Sequence, residues 1–389
     1  MRSRLIAWLA GDRKRQLIAG GGALVSVLVV VALLAAAGVF SGGSGGAKPS
    51  ETPALGATQE PGETPTAPPT EPTLLNGRLV YPDELEEIEK RLPLAVMFDN
   101  FVDARPQVGL EKADLVFEAV AEGGITRFLG VFWSQDPGLI EPVRSARAYY
   151  ISWAAELDAI YVHWGRAQSS DPLVDVTATL SRLGVTNFDA FYMGAPYFTR
   201  DPARAGPHDG IADVGALWEL AAERELSGPP EIEGWRFKED EPGRAAGNGA
   251  VAAPAVDLGF GGRLADDYAV RWEYDGESNG YLRSEGGAPH LDGRSGERIA
   301  ARNVAVMITS AHSAGDGTAH LVYETVGSGD AVVFQDGVAV PGTWSRADAA
   351  SRTRFFDAAG EEIAFNRGQT WVEVLSPTDP LVYGEPAAP

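Results

Sequence analysis

Residues 143–163, VRSARAYYISWAAELDAIYVH, run a helix directly into a strand, and this passage sets the class of the fold. Tyr149, Tyr150, Trp153 and Leu157 recur at helical spacing and give one apolar stripe, while Ala159 to Val162 is an uninterrupted apolar run that closes at His163. Ser145 stands where its hydroxyl would cap the helix, with Arg144 and Arg147 in the same first turn. Upstream, Leu94 to Phe98 reads as a short buried strand that stops at Asp99-Asn100. Lys112 to Ala121 is ambiguous: as a strand it puts Glu118 and Glu122 on one face, and as a helix it makes them neighbours one turn apart. In either case the two carboxylates point the same way. Gly123-Gly124 breaks the pattern, and Ile125 to Ser134 reads as a second strand, apolar on both faces and joined to the first as a hairpin. Strand, hairpin, helix and strand in that order predict a mixed α/β sheet with a helical layer over residues 79–238. A further helix follows, capped by Asp213 and ending before Gly228.

Beyond a polar, glycine-rich stretch at 239–250 that reads as a linker, the texture turns to β. Short runs at 268–274, 281–283, 304–308, 320–325, 331–334, 353–357, 362–365 and 370–375 are rich in aromatic and β-branched residues. Asp336-Gly337 and Ala359-Gly360 supply turns between neighbours. These predict a β-rich, sandwich-like domain over 251–380, followed by a tail at 381–389. The expected class is therefore α+β, with an α/β domain preceding a β domain. No internal repeat suggests a propeller or solenoid.

The first forty residues address the compartment. Arg2, Arg4, Arg13, Lys14 and Arg15 lie in a basic flank at 1–16, ahead of an uncharged apolar run at 17–40. At about 1.5 Å per residue that run is long enough to span a bilayer core, with the basic side cytoplasmic and the rest outside. A cleaved signal peptide is the competing reading, with Ala35-Ala36-Ala37 as its small-residue site, but the run exceeds the usual apolar length of such peptides. The expectation is a single-pass anchor followed by a disordered Gly/Ser/Pro/Thr tether at 41–78. The whole chain carries a net charge of -22, which disfavours nucleic acid as a partner. Any anionic ligand must then be met by a local arginine cluster. With no cysteine among its 389 residues, the chain holds no disulfide, thiolate nucleophile or lipidated cysteine.

A series of ordered segments carries a family resemblance. They are Asp99-Asn100 with Ala104-Arg105-Pro106-Gln107, Lys112-Ala113-Asp114, Glu122-Gly123-Gly124-Ile125-Thr126-Arg127, Pro142-Val143-Arg144-Ser145-Ala146-Arg147 and Tyr161-Val162-His163. The series continues with Arg200-Asp201, Pro207-His208, Trp272-Glu273-Tyr274-Asp275 with Tyr281 and Arg283, Asn303-Val304, Gly342-Thr343-Trp344 and Thr370-Trp371-Val372-Glu373. Together they resemble the YerB-like family of bacterial exported proteins, domain of unknown function 3048, across essentially the whole chain after the tether. The resemblance implies an extracytoplasmic protein of N- and C-terminal domains and carries no established reaction. Two departures stand out: the lipobox cysteine is missing, and Trp164-Gly165-Arg166-Ala167-Gln168 replaces a more glycine- and serine-rich pattern.

Polar residues gather at predicted strand ends, where open α/β sheets bind ligands. Arg144, Ser145, Arg147, Arg127, Arg105, Asn100, Arg200 and Arg204 are the candidates for holding an anion, since guanidinium groups at a helix start match carboxylate or phosphate. His163, His208, Asp99, Glu118 and Glu122 are the candidates for proton transfer, with Asp99 and His163 each ending a strand and so able to face one crevice. The same arginines can instead be neutralised by the chain's own carboxylates. No nucleophile elbow, P-loop, paired-histidine motif or dinucleotide fingerprint is present, so neither cofactor nor metal is expected. The sequence favours a binding module for an anionic cell-envelope component or envelope protein. A hydrolase or transferase acting on cell-wall polymer through the same crevice, and an envelope scaffold, are the alternatives. Among the aromatic residues of the second half, Trp344 and Trp371 read as core, and Tyr281 beside Arg283 is the better candidate for a surface sugar platform.

Overall fold

The computed structural model describes residues 69–384 except 248, 263 and 264. The chain lays down β1 (Leu94–Asp99), β2 (Leu115–Val120), β3 (Thr126–Phe132), α1 (Ala148–Ala155), β4 (Ile160–His163), α2 (Val176–Leu183), β5 (Asn187–Asp189) and α3 (Val214–Glu223). It continues through β6 (Ala255–Leu258), β7 (Val270–Asp275), β8 (Gly280–Glu285), β9 (Asn303–Ile308), β10 (Gly327–Gln335), β11 (Val338–Arg346), β12 (Thr370–Leu375) and β13 (Leu381–Tyr383).

One 11-stranded sheet takes strands from both halves, in the order β11-β10-β9-β12-β2-β3-β1-β4-β5, with Val251–Ala252 and Arg354–Asp357 also paired to β11. The joint is β12, which lies parallel to β9 on one side and to β2 on the other, with Thr370 opposite Asn303 and Leu115. A second sheet of six strands includes β8, β7, β6 and β13 in that order. Side chains of the large sheet alternate between two cores, as the period of two requires. Leu94, Val96 and Phe98 of β1 join Trp371, Phe334, Trp272 and Tyr281 beneath the six-stranded sheet, whereas Ala95 and Met97 join Tyr150, Trp153, Met307 and Val374 beneath α1.

This architecture corrects the expected class. The fold is mainly β, the longest described α-helix has 10 residues, and several strands assigned to a following β domain, β9, β10 and β12 among them, complete the sheet begun in the first half. Among the described residues no helix is long and apolar enough to cross a membrane, for which about 20 apolar residues are needed. The transmembrane helix expected at 17–40 falls outside the described residues and is no part of the class drawn from them. Ordered structure begins before Leu79: Glu71–Pro72 pairs with Leu79–Val80, Leu75 is buried, and Asn76 donates to Asp114 at 2.6 Å.

Local signals explain what matched and what did not. Leu115–Val120 and Thr126–Phe132 form the expected hairpin, and Asp213 caps α3 by accepting from the Ala216 N–H at 3.0 Å. β11 was not among the expected strands, and it carries Pro341, a residue that interrupts most strands. It is tolerated because Val251–Ala252 pairs with 338–339 and Arg354–Asp357 with 342–345, so the missing N–H falls at a gap between edge partners.

Candidate functional site

Segment 143–146 does not start a helix. It runs extended between β1 and the loop after β4: the Arg144 N–H donates to the Met97 carbonyl, the Trp164 N–H to the Arg144 carbonyl, and the Ala146 N–H to the Gly165 carbonyl, at 2.9, 3.0 and 2.9 Å. Those backbone pairings hold the chain away from helical geometry until Ala148, so Arg147 takes the cap position and Ser145 caps nothing. The Ser145 hydroxyl accepts from Arg147 Nη1 at 3.0 Å instead. The extended path has a consequence for the arginines, because successive side chains along it alternate in direction and part Arg144 from Arg147.

Arg144 faces a concavity of about 270 Å³ lined also by Ser145, Trp164, Arg166, Phe191 and Arg200. Three guanidinium groups from three separate segments thus share one surface, each with a carboxylate behind it. Arg144 Nε lies 3.3 Å from Asp99, Arg166 Nη1 is 2.7 Å from Asp189, and Arg200 Nη1 is 2.5 Å from Asp209. The pairing uses only part of each fork: Arg144 Nη2 and the Nε and Nη2 of Arg200 have no hydrogen-bond partner among the described residues. Asp99 is buried at the end of β1, its Oδ1 accepting from the Phe101 N–H and its Oδ2 lying 2.6 Å from His208 Nδ1. Phe101 stacks on the His208 ring with centroids 5.0 Å apart, leaving Nε2 with no partner among the described residues. His208 adjoins Pro207, which also lines the concavity.

The remaining candidates lie elsewhere. Arg147 makes a two-pronged pair with Glu122, through Nε to Oε1 and through Nη2 to Oε2, the latter at 2.6 Å. Burial alone would push the Glu122 carboxyl up, but Arg147 and Arg127 outweigh it and hold the group below its ordinary range. Arg127 donates to the Ser145 carbonyl at 3.0 Å and is a buried prop behind the site. Arg204 is a strut, donating to the carbonyls of Ala104 and Pro106 at 2.7 Å each. His163 shares no crevice with Asp99. Its ring is fully buried, Nδ1 lies 2.9 Å from the Gly165 carbonyl and Nε2 2.9 Å from the Asn187 amide, and burial keeps it neutral by lowering its pKa. With both nitrogens committed it has no means to serve as a base.

Glu118 and Glu122 do not act together either. Glu118, Asn100 and Arg105 belong to an interior cluster at the seam between the two sheets. Arg283 Nη2 donates to Glu118 at 2.5 Å, and its Nη1 lies 2.6 Å from His290 Nδ1 and 3.3 Å from Glu285. Asn100 Nδ2 donates to Glu285 at 2.6 Å, Arg105 lies 3.2 Å from the same carboxylate, and Trp272 donates to Glu373 at 2.9 Å. Burial first, then the crowd of like charges, drives the Glu118 carboxyl well up, and burial likewise raises Glu373. His290 is lowered by burial and by Arg283, so its neutral ring can accept at Nδ1 and donate at Nε2 to Gln107, 2.9 Å away. This network holds the two halves of the chain together.

Sequence reasoning missed Trp164, Arg166 and Phe191 in the concavity. The one signal was the departure of residues 164–168 from the family pattern, which falls on two of them. The sugar platform expected at Tyr281 is corrected: Tyr281 is fully buried, as are Trp344 and Trp371, because β8 packs face-down on the large sheet.

A β-rich protein with one shared sheet and an arginine-lined concavity beside a carboxylate–histidine pair is the class that fold and site define. Residues 81–227 match the family described as Protein of unknown function (DUF3048) N-terminal domain, and residues 262–372 match its C-terminal domain. The chain belongs to this family. It is 29% identical over 301 residues to YerB of Bacillus subtilis (strain 168), whose name marks it as a candidate lipoprotein, across 76% of this chain and 84% of that protein. The crystal structure of YerB from Bacillus subtilis superposes with a TM-score of 0.67 at 25% identity, covering 80% of this chain and 99% of that one.

Proposed function

We propose that the protein is an extracytoplasmic envelope protein that binds an anionic, carboxylate- or phosphate-bearing component through Arg144, Arg166 and Arg200. The observation that carries this reading is the convergence of the three arginines on one concavity with donors to spare, in a chain whose net charge is -22. An acidic surface repels anions at long range, so a cluster of partly committed arginines gives a selective contact. The relative's lipoprotein name supports an envelope setting. Calorimetric titration of the protein with inorganic phosphate and with succinate at low ionic strength tests the reading. Saturable binding is expected, weakening with salt and falling about tenfold or more in an Arg144→Gln, Arg200→Gln double variant of unchanged fold. No saturable binding in the parent, or equal binding by the variant, refutes it.

A second reading rests on the Asp99–His208 contact at 2.6 Å, which orients an imidazole beside the same arginines as a general acid or base would be. It predicts slow, saturable cleavage of bis(4-nitrophenyl) phosphate that His208→Gln reduces by about a hundredfold while phosphate still binds. Equal rates for parent and variant rule it out.

A further inference from the structure

Two large side chains next to the arginines stand out in water. Phe191 is 67% exposed and Tyr192 76% exposed, on the short helical turn Ala190–Met193 that follows β5. Exposed rings of this size carry an apolar surface that folding alone leaves unexplained, and paired exposed rings mark contact sites. They are not on a loose loop. Asp189 accepts from the Phe191 N–H at 3.1 Å through Oδ1 and holds Arg166 at 2.7 Å through Oδ2, so a single carboxylate fixes the aromatic turn to the cation. Arg166 Nη2 also donates to the Tyr192 hydroxyl at 3.0 Å.

Phe191 itself lines the concavity with Trp164. Its ring approaches so closely that a Cβ added at Gly165 would lie 3.0 Å from Phe191 Cε2, and Gly165 has φ +82°, so glycine serves both the turn and the approach. Trp164 carries the Arg200 guanidinium 4.4 Å from its ring centroid. Aromatic faces and arginine donors therefore alternate along one small surface. Inorganic anions use only the donors. A protein partner needs a contiguous apolar area on the order of several hundred Å², which two rings do not supply. A pyranose ring presents apolar C–H faces, hydroxyl edges and, when substituted, an acid group, and that combination matches both halves of the surface. At about 270 Å³ the concavity accommodates a single sugar residue of an extended chain.

Resting on the anion-binding reading above, we infer that the site takes an anionic pyranoside, with Phe191 and Tyr192 stacking on the sugar and Arg144 and Arg200 holding its carboxylate or phosphate. The experiment is a titration of the full chain with trigalacturonate, glucose 1-phosphate, maltotriose and inorganic phosphate. It is repeated on a Phe191→Ala, Tyr192→Ala double variant, whose side chains contribute little to the core. One of the two anionic sugars is expected to bind about tenfold more tightly than inorganic phosphate. The aromatic variant should lose that margin and keep its affinity for phosphate. Preference for trigalacturonate identifies a carboxylate source, and preference for glucose 1-phosphate a phosphate source. If phosphate binds but sugars gain nothing, or the aromatic variant is indifferent, the pyranoside assignment falls while anion binding stands. Equal affinity for maltotriose also overturns it. If no anion binds, both readings fall together.

Discussion

Arg283→Met is expected to cost about 3–5 kcal/mol of stability and to lower the melting temperature by on the order of 10 °C. Arg283 is fully buried, pairs with Glu118 and Glu285 and is attracted by Glu373, with the rings of Trp371 and Phe128 4.8 and 5.3 Å from its guanidinium carbon. Burial pulls its pKa down, but the attraction of the three carboxyls outweighs this and leaves it raised. Methionine fills much of the volume and removes the charge, taking from Glu118 its one ion-pair partner among the described residues and leaving Glu285 with Arg105 alone. Denaturant titration of parent and variant measures the loss; a change below about 1 kcal/mol would refute the account, since that is the scale of exposed pairs such as Arg271–Asp257.

The same cluster fixes a pH dependence. Glu118 and Glu373 have folded pKa values raised above their ordinary value near 4.5, so the folded state holds more protons than the unfolded one above that pH. Their contribution is complete below about pH 4.5 and is lost as pH rises through the folded values. Glu373→Gln keeps an oxygen for the Trp272 N–H and needs no proton, so it should flatten the alkaline side of the stability profile. That companion variant separates electrostatic crowding from mere packing at the seam.

Glu156→Ala is expected to be comparably damaging, at about 3–5 kcal/mol, because it removes the carboxylate between two buried cations. Glu156 follows α1 and lies 3.3 Å from Arg346 Nε, pairs with Arg352 Nη1, and accepts from the Thr353 hydroxyl at 2.5 Å. Arg346 retains carbonyl partners, including Ser152 at 2.8 Å and Thr325 at 3.1 Å. Burial already lowers Arg352 to about 10, with Glu156 opposing the fall, so loss of the carboxylate leaves it poorly solvated. Glu156→Gln should recover part of the loss by preserving the Thr353 contact. Equal stability of the alanine and glutamine variants would show that the Thr353 contact carries none of it, and a glutamine variant as stable as the parent would show that the carboxylate charge carries none.

Much of the local structure was readable in the chain. The Leu94–Phe98, Ile125–Ser134 and Ala159–Val162 runs became strands because continuous apolar residues need a sheet covered on both faces, and the Gly123-Gly124 and Asp336-Gly337 turns follow from residues that adopt positive φ. The candidate site was only half readable. Arg144 and Arg200 reached the concavity, but Arg147 did not, because the helix was expected to begin at Ser145. That start was lost when Met97 and Gly165, remote in sequence, claimed the backbone of segment 143–146.

By itself, then, the sequence determined the type of its clearest strands and helices, the absence of thiol chemistry, the acidic net charge and the family. Those properties depend on composition and on short periodic patterns that any window of the chain displays. Only the tertiary structure decided that β12 would bridge the two halves, that Glu118 and Glu122 would part to different clusters, and that Arg166 and Phe191 would join Arg144. Strand partners and ion-pair partners are chosen by packing among residues far apart in the chain, and a pattern of period two is satisfied equally well beside any neighbour whose face needs covering.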